Sequence, residues 1–150
     1  MNLLIPITSL GLYGWGFLVG MFWLPRRFCP WLVRGAASST LKAAMLMVAV
    51  HSAGLAAFAV ATFLINEFAV GTLPTWLVTF LFVLAGLVYA PLMGMGFPDR
   101  SRDVYGELRR HLKDAGATHA QERAAAWSGG PLAFLGMVVL GMSSVIVFAE

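Results

Sequence analysis

Charge is what this chain has least of. Only 11% of its 150 residues are Asp, Glu, Lys or Arg, where soluble domains carry roughly a quarter. Hydrophobic residues make up 59% and the mean hydropathy is +0.81. Together these exclude an ordinary soluble domain and exclude intrinsic disorder. Cysteine is nearly absent. The single Cys29 rules out an internal disulfide and leaves the redox compartment open. Also missing are a P-loop, a dinucleotide-binding glycine fingerprint and a C-x-x-C pair. Gly14–Gly16 and Gly94–Gly96 have G-x-G spacing, but they sit in apolar runs and read as packing positions. His111, Asp114, His119 and Glu122 match no compact zinc spacing and read as a solvated helix surface. No serine has a credible base nearby, so nothing points to a nucleophilic enzyme.

Present instead are four long apolar runs, at about residues 3–24, 43–65, 74–97 and 131–149. Runs of roughly twenty apolar residues read as membrane-spanning helices. The fold expected is therefore an all-α integral membrane protein, one four-helix domain over 1–150. A cytoplasmic amphipathic helical segment, 98–130, falls between the third and fourth spans. The first run lacks a basic leader, since Arg26 and Arg27 follow it, so it is expected to stay as a span.

Small residues recur along the runs. Gly16 and Gly20 form a G-x-x-x-G pair, and Gly86, Ala90 and Gly94 repeat the spacing. Such residues let a neighbouring helix approach closely. Ala49, Ala53, Ala57 and Ala61 make a smooth ridge on the second run. Pro91 predicts a kink in the third run.

The polar stretches carry the basic residues. Arg26, Arg27, Arg34 and Lys42 lie in 25–42 with no acid among them, beside Trp23 and Trp31 at headgroup level. One reading is attraction of anionic lipid headgroups; the simpler one is that these charges only set topology. Cys29 is expected to be an interfacial bystander. In 98–130, Val104, Leu108 and Leu112 line one helix face and are expected to meet a partner. Glu107 with His111 and Arg110 with Asp114 have pair spacing. Gly116 predicts a helix stop, and Thr118 with Gln121 predicts a capping box. Gly129–Gly130 is expected to separate a second short helix, 119–127, from the last span. Six basic residues face five acids here, which argues against nucleic acid as a partner. The positive-inside rule then puts loops 25–42 and 98–130 in the cytoplasm and both termini on the other side.

His51 is the only histidine, acid or basic residue well inside an apolar run. It points away from the alanine ridge, grouped with Met47, Gly54, Leu55 and Phe58, because each residue turns the helix by about 100°. Counting rise per residue puts Tyr89 at the same depth. A polar layer of His51 and Tyr89, with Ser52 or with Ser143 or Ser144, would satisfy a neutral imidazole donating to a hydroxyl. Three roles compete for His51: a structural histidine, a ligand to haem b or contact to a quinone, and a proton or substrate site. No intramembrane carboxylate and no second histidine in a span accompany it.

The function expected is a non-catalytic accessory subunit of a larger membrane complex. It would pack against other membrane subunits through its small-residue faces and sit among membrane lipids. An energy-transducing setting, respiratory or photosynthetic, is the one expected, though no residue specifies it. The alternatives are a haem- or quinone-binding redox subunit using His51, with Tyr89 beside it, and a small transporter or membrane enzyme.

Overall fold

A computed structural model describes residues 4–96 and 104–149, with side chains over 11–96 and 104–140 and that of Thr8. The start of the polar segment at 97–103, and the side chains of Ser143 and Ser144, lie outside the described residues. Among the described residues the chain is all-helical: α1 (Leu4–Phe22), α2 (Leu24–Ala36), α3 (Thr40–Phe68), α4 (Thr75–Met95), α5 (Gly106–Asp114) and α6 (His119–Ala149). Three helices are long and apolar enough to cross a membrane: α3, α4 and the His119–Leu140 portion of α6. The described apolar stretch of α1, Gly11–Phe22, is shorter.

In hydrocarbon there is little hydrophobic drive between helices, so close backbone packing has to hold them. The α1–α4 pair does this with glycine. A Cβ on Gly20 would overlap the Pro91 carbonyl, and one on Gly94 would overlap the carbonyl of Phe17. Gly16 faces Leu87 and Ala90, and Gly86 lies under the Tyr13 ring. The Tyr13 hydroxyl donates to the Phe82 carbonyl at 3.2 Å. α4 is central, touching α1, α3 and α6, while α3 and α6 pack along each other. It runs through Pro91 to Met95 as one helix.

The stretch 25–42 is largely helical. Pro25 opens α2 within its first turn, where a missing N–H costs little. Pro25, Cys29, Leu32 and Ala36 make its buried stripe. Cys29, expected at the interface, is instead fully enclosed in a core with Leu32, Met47, Leu108 and Leu112. Leu108 and Leu112 were expected to meet a partner; they fill this core, and of that stripe only Val104 is exposed. The chain supplies the cover itself because α2 folds over the same end as α5.

The helix signals around α5 read directly. Gly116 adopts φ +92°. Ala117 N–H donates to the Leu112 carbonyl and Gly116 N–H to the Lys113 carbonyl, the two bonds of a Schellman stop. The Gln121 side chain accepts from the Thr118 N–H at 3.0 Å, and the Gln121 N–H donates back to the Thr118 hydroxyl at 3.3 Å. Glu107 approaches His111 at 3.5 Å, but Arg110 pairs with Glu107 at 2.8 Å rather than with Asp114.

The expected break at Gly129–Gly130 does not occur. α6 is one 31-residue helix with Pro131 inside it. Proline there removes one helix N–H, which a long, well-packed helix tolerates. The glycines serve contact instead. Gly129 lies against Met47 and His51, and Gly130 lies under the Tyr105 ring.

Gly20→Leu is expected to push α1 off α4 and cost roughly 1–3 kcal/mol by overpacking, read as a lower thermal midpoint in detergent. Gly11→Leu, with open space at its Cβ, is the matched control and is expected to leave the midpoint unchanged.

Candidate functional site

Two fully buried polar side chains from different spans, His51 and Tyr89, meet at one junction. His51 projects from the buried face of α3, which also carries Ala43, Met47 and Phe58. Tyr89 projects from α4. Both are 0% exposed. Their rings meet edge to face, with centroids 6.4 Å apart and planes at 87°.

They do not hydrogen-bond to each other, contrary to the expectation of an imidazole donating to a hydroxyl. His51 Nδ1 lies 3.0 Å from the carbonyl of Met47, one turn back on its own helix. That carbonyl can only accept, so Nδ1 carries the proton. The Tyr89 hydroxyl donates across to the Leu132 carbonyl of α6 at 3.0 Å. Gly136 makes this possible. A Cβ there would overlap the Tyr89 ring, so its absence opens the α6 backbone to the phenol. Gly54 opens the α3 side in the same way. Ser52 is exposed and takes no part. His51 Nε2 is buried; the ring lies beside the Leu92 backbone, but Nε2 makes no hydrogen bond of full geometry among the described residues.

The surroundings leave no room for a haem. The ring is closed in by Tyr89 on one side and by Gly129, whose Cβ position is 3.3 Å from Cε1, on another. Seating iron on Nε2 would require these helices to separate, so the residues present do not fit the group. A cavity of about 390 Å³ does exist between α1, α4 and α6. Tyr13, Gly14, Phe17, Ala90, Met93, Met137 and Leu140 line it, and neither His51 nor Tyr89 does. A quinone ring there would find the Tyr13 phenol as its one polar side chain.

The small residues divide into two groups. Gly16, Gly20, Gly86, Ala90 and Gly94 all lie inside the chain's own packing. Ala49, Ala53 and Ala57 are exposed, and Ala61 is half-buried against the core around Phe58 and Tyr89. Among the described residues, the Ala49–Ala57 part of the ridge therefore faces away from this chain's other helices, while Ala61 packs inward.

At the end of the bundle where α2, α5 and the start of α6 meet, two groups stand out. Arg109 donates to Glu122 at 2.7 Å, joining α5 to α6, and Glu122 is buried. The buried Gln121 amide donates to the Ala37 carbonyl at 2.8 Å. Ala37 sits at φ 51° between α2 and α3, a conformation that an L side chain rarely adopts, and Gln121 fastens it. Spacing points to Gln121 as a capping residue; its reach of 84 residues back along the chain has no local signal. Gly136 and Leu132 have none either.

Burial pushes the Cys29 thiol up to about 12. Thiolate is the reactive form, so Cys29 is expected to resist maleimide in the folded protein at pH 7 to 9 and to label only on denaturation. His51→Ala removes a hydrogen bond and leaves a void, expected to cost roughly 2–3 kcal/mol. The visible absorption spectrum of the purified protein is expected to be the same before and after that substitution.

Comparison with protein-family models, with curated proteins and with solved structures finds no match to this chain.

Proposed function

We propose that the chain is a four-span membrane protein with both ends outside the cytoplasm, and that it serves as a non-catalytic subunit of a larger membrane assembly. One observation carries this reading: the outward face of α3. Ser52, Ala53, Ala56 and Ala57, with Ala49 one turn before them, leave a smooth strip on a spanning helix that its own partners do not cover. Lipid chains need no such strip. A second helix does, because close approach of backbones is what holds helices together in hydrocarbon.

The orientation draws on the packing of the polar elements. α2 and α5 share one core at one end of the bundle, and the turn between α3 and α4 lies at the other. The basic residues Arg26, Arg27, Arg34 and Lys42 therefore share an end with Arg109, Arg110 and Lys113. That end is the cytoplasmic one by the positive-inside rule.

The alternatives are a redox subunit and a small transporter or membrane enzyme. Both need space at His51, and the ring is closed in by the chain itself. A structural histidine and tyrosine, holding α3, α4 and α6 in register, is the role that fits them.

The test is the native size after mild detergent extraction from the protein's own membrane, with co-purifying chains identified by mass spectrometry. A large assembly of fixed composition is expected. Ala53→Leu with Ala57→Leu is expected to release the chain from it, while Val88→Leu on the exposed side of α4 is not. A lone monomer, or an assembly indifferent to the α3 substitutions, would overturn the reading.

A further inference from the structure

The cationic face of α2 is the largest feature that a role for α3 leaves unexplained. No acidic residue occurs anywhere before Glu67. The buried stripe Pro25, Cys29, Leu32 and Ala36 anchors α2 to the core. At about 100° per residue, Arg27, Trp31 and Arg34 fall on the opposite side, with Trp31 between the two cations. All three are exposed, and Arg26 is exposed on the flank. Seven residues separate Arg27 from Arg34, or about 10 Å along the axis.

The side chains are held in place. Arg27 lies over the Trp23 ring, 6.0 Å from its centroid. Arg34 donates through Nε to the Pro30 carbonyl at 3.1 Å, leaving its terminal nitrogens for another acceptor. Trp31 packs on Phe28 at 5.5 Å. Among the described residues, none of the α2 arginines has a carboxylate within ion-pair distance. Glu107 is paired with Arg110 and Glu122 with Arg109.

From this geometry we infer that the Arg27–Trp31–Arg34 face of α2 binds the headgroups of anionic phospholipids. Charge complementarity selects the occupant: fixed guanidinium groups pair with phosphate oxygens in a forked geometry. The tryptophans select the lipid source over a soluble anion. Trp23 and Trp31 are both exposed, and indole rings favour the boundary between headgroup and chain. A face meant for water would have no use for them. α2 follows α1 directly, so the face lies where the bundle leaves the membrane.

The test uses the full chain in detergent, with phosphatidylglycerol or phosphatidylcholine titrated in and bound lipid counted by native mass spectrometry. Phosphatidylglycerol is expected to be retained preferentially, and added salt is expected to erase the preference. Arg27→Gln with Arg34→Gln is expected to weaken retention about twenty- to thirtyfold, from about fivefold per basic residue at a charged surface. Arg27→Lys with Arg34→Lys, which keeps the charge and loses the fork, is expected to fall between the native chain and the glutamine variant. Arg110→Gln with Lys113→Gln, on α5, is expected to change nothing. If the glutamine variant fails to fold, the salt dependence and the lysine variant still decide. Equal retention of the two lipids, or a preference untouched by the α2 substitutions, overturns the inference and leaves these arginines as orientation signals alone. Displacement of phosphatidylglycerol by inorganic phosphate at matched ionic strength overturns it in favour of a soluble anion site.

Discussion

The hydrogen bond from Tyr89 to the Leu132 carbonyl is the constraint on which the rest of the bundle depends. It requires a phenol to pass between two helices and reach the backbone of a third. That path exists because Gly54 and Gly136 have no side chains where the ring lies. The same ring braces His51 at its edge, and His51 in turn lies beside Gly129. One tyrosine thus holds α4 against α3 and α6 together. In a solvent that offers the helices no hydrophobic drive and no hydrogen bonds, a satisfied phenol wedged between glycines is worth more than bulk.

The end carrying α2 and α5 is built on a different principle. It is a small soluble-like core, closed by Cys29, Leu32, Leu108 and Leu112. Apolar area buried from water contributes there in the ordinary way. Its polar ties are few and directed: Arg109 to Glu122, and Gln121 to Ala37. The bundle and this cap share Met47, which belongs to the cap core and also lies against Gly129 of α6. A change in one is therefore felt in the other. The two outward features, the small-residue face of α3 and the cationic face of α2, lie on elements whose opposite sides are buried in this shared interior.

Much was legible in the chain itself. The apolar runs, the glycine spacing of α1 and α4, the helix stop at Gly116 and the Thr118–Gln121 capping box all rest on local rules: length, periodicity and backbone geometry. His51 and Tyr89 come out level because helical rise fixes depth. What local rules misread were residues with two possible uses. Gly129–Gly130 can end a helix or admit a neighbour, and here Met47, His51 and Tyr105 occupy the space. Leu108 and Leu112 can face a partner or an internal core, and α2 was not legible as the element that would cover them.

Sequence alone therefore determined the class of molecule, its helical runs and the segregation of its basic residues, because those follow from transfer free energies and from the period of the helix. Tertiary structure alone decided which faces are spent inside. It turned Gly16, Gly20, Gly86 and Gly94 inward and Ala49, Ala53 and Ala57 of α3 outward, and it closed His51 off behind Tyr89. Those outcomes depend on which backbone lies within a few ångströms of which, and no spacing along a single chain encodes that.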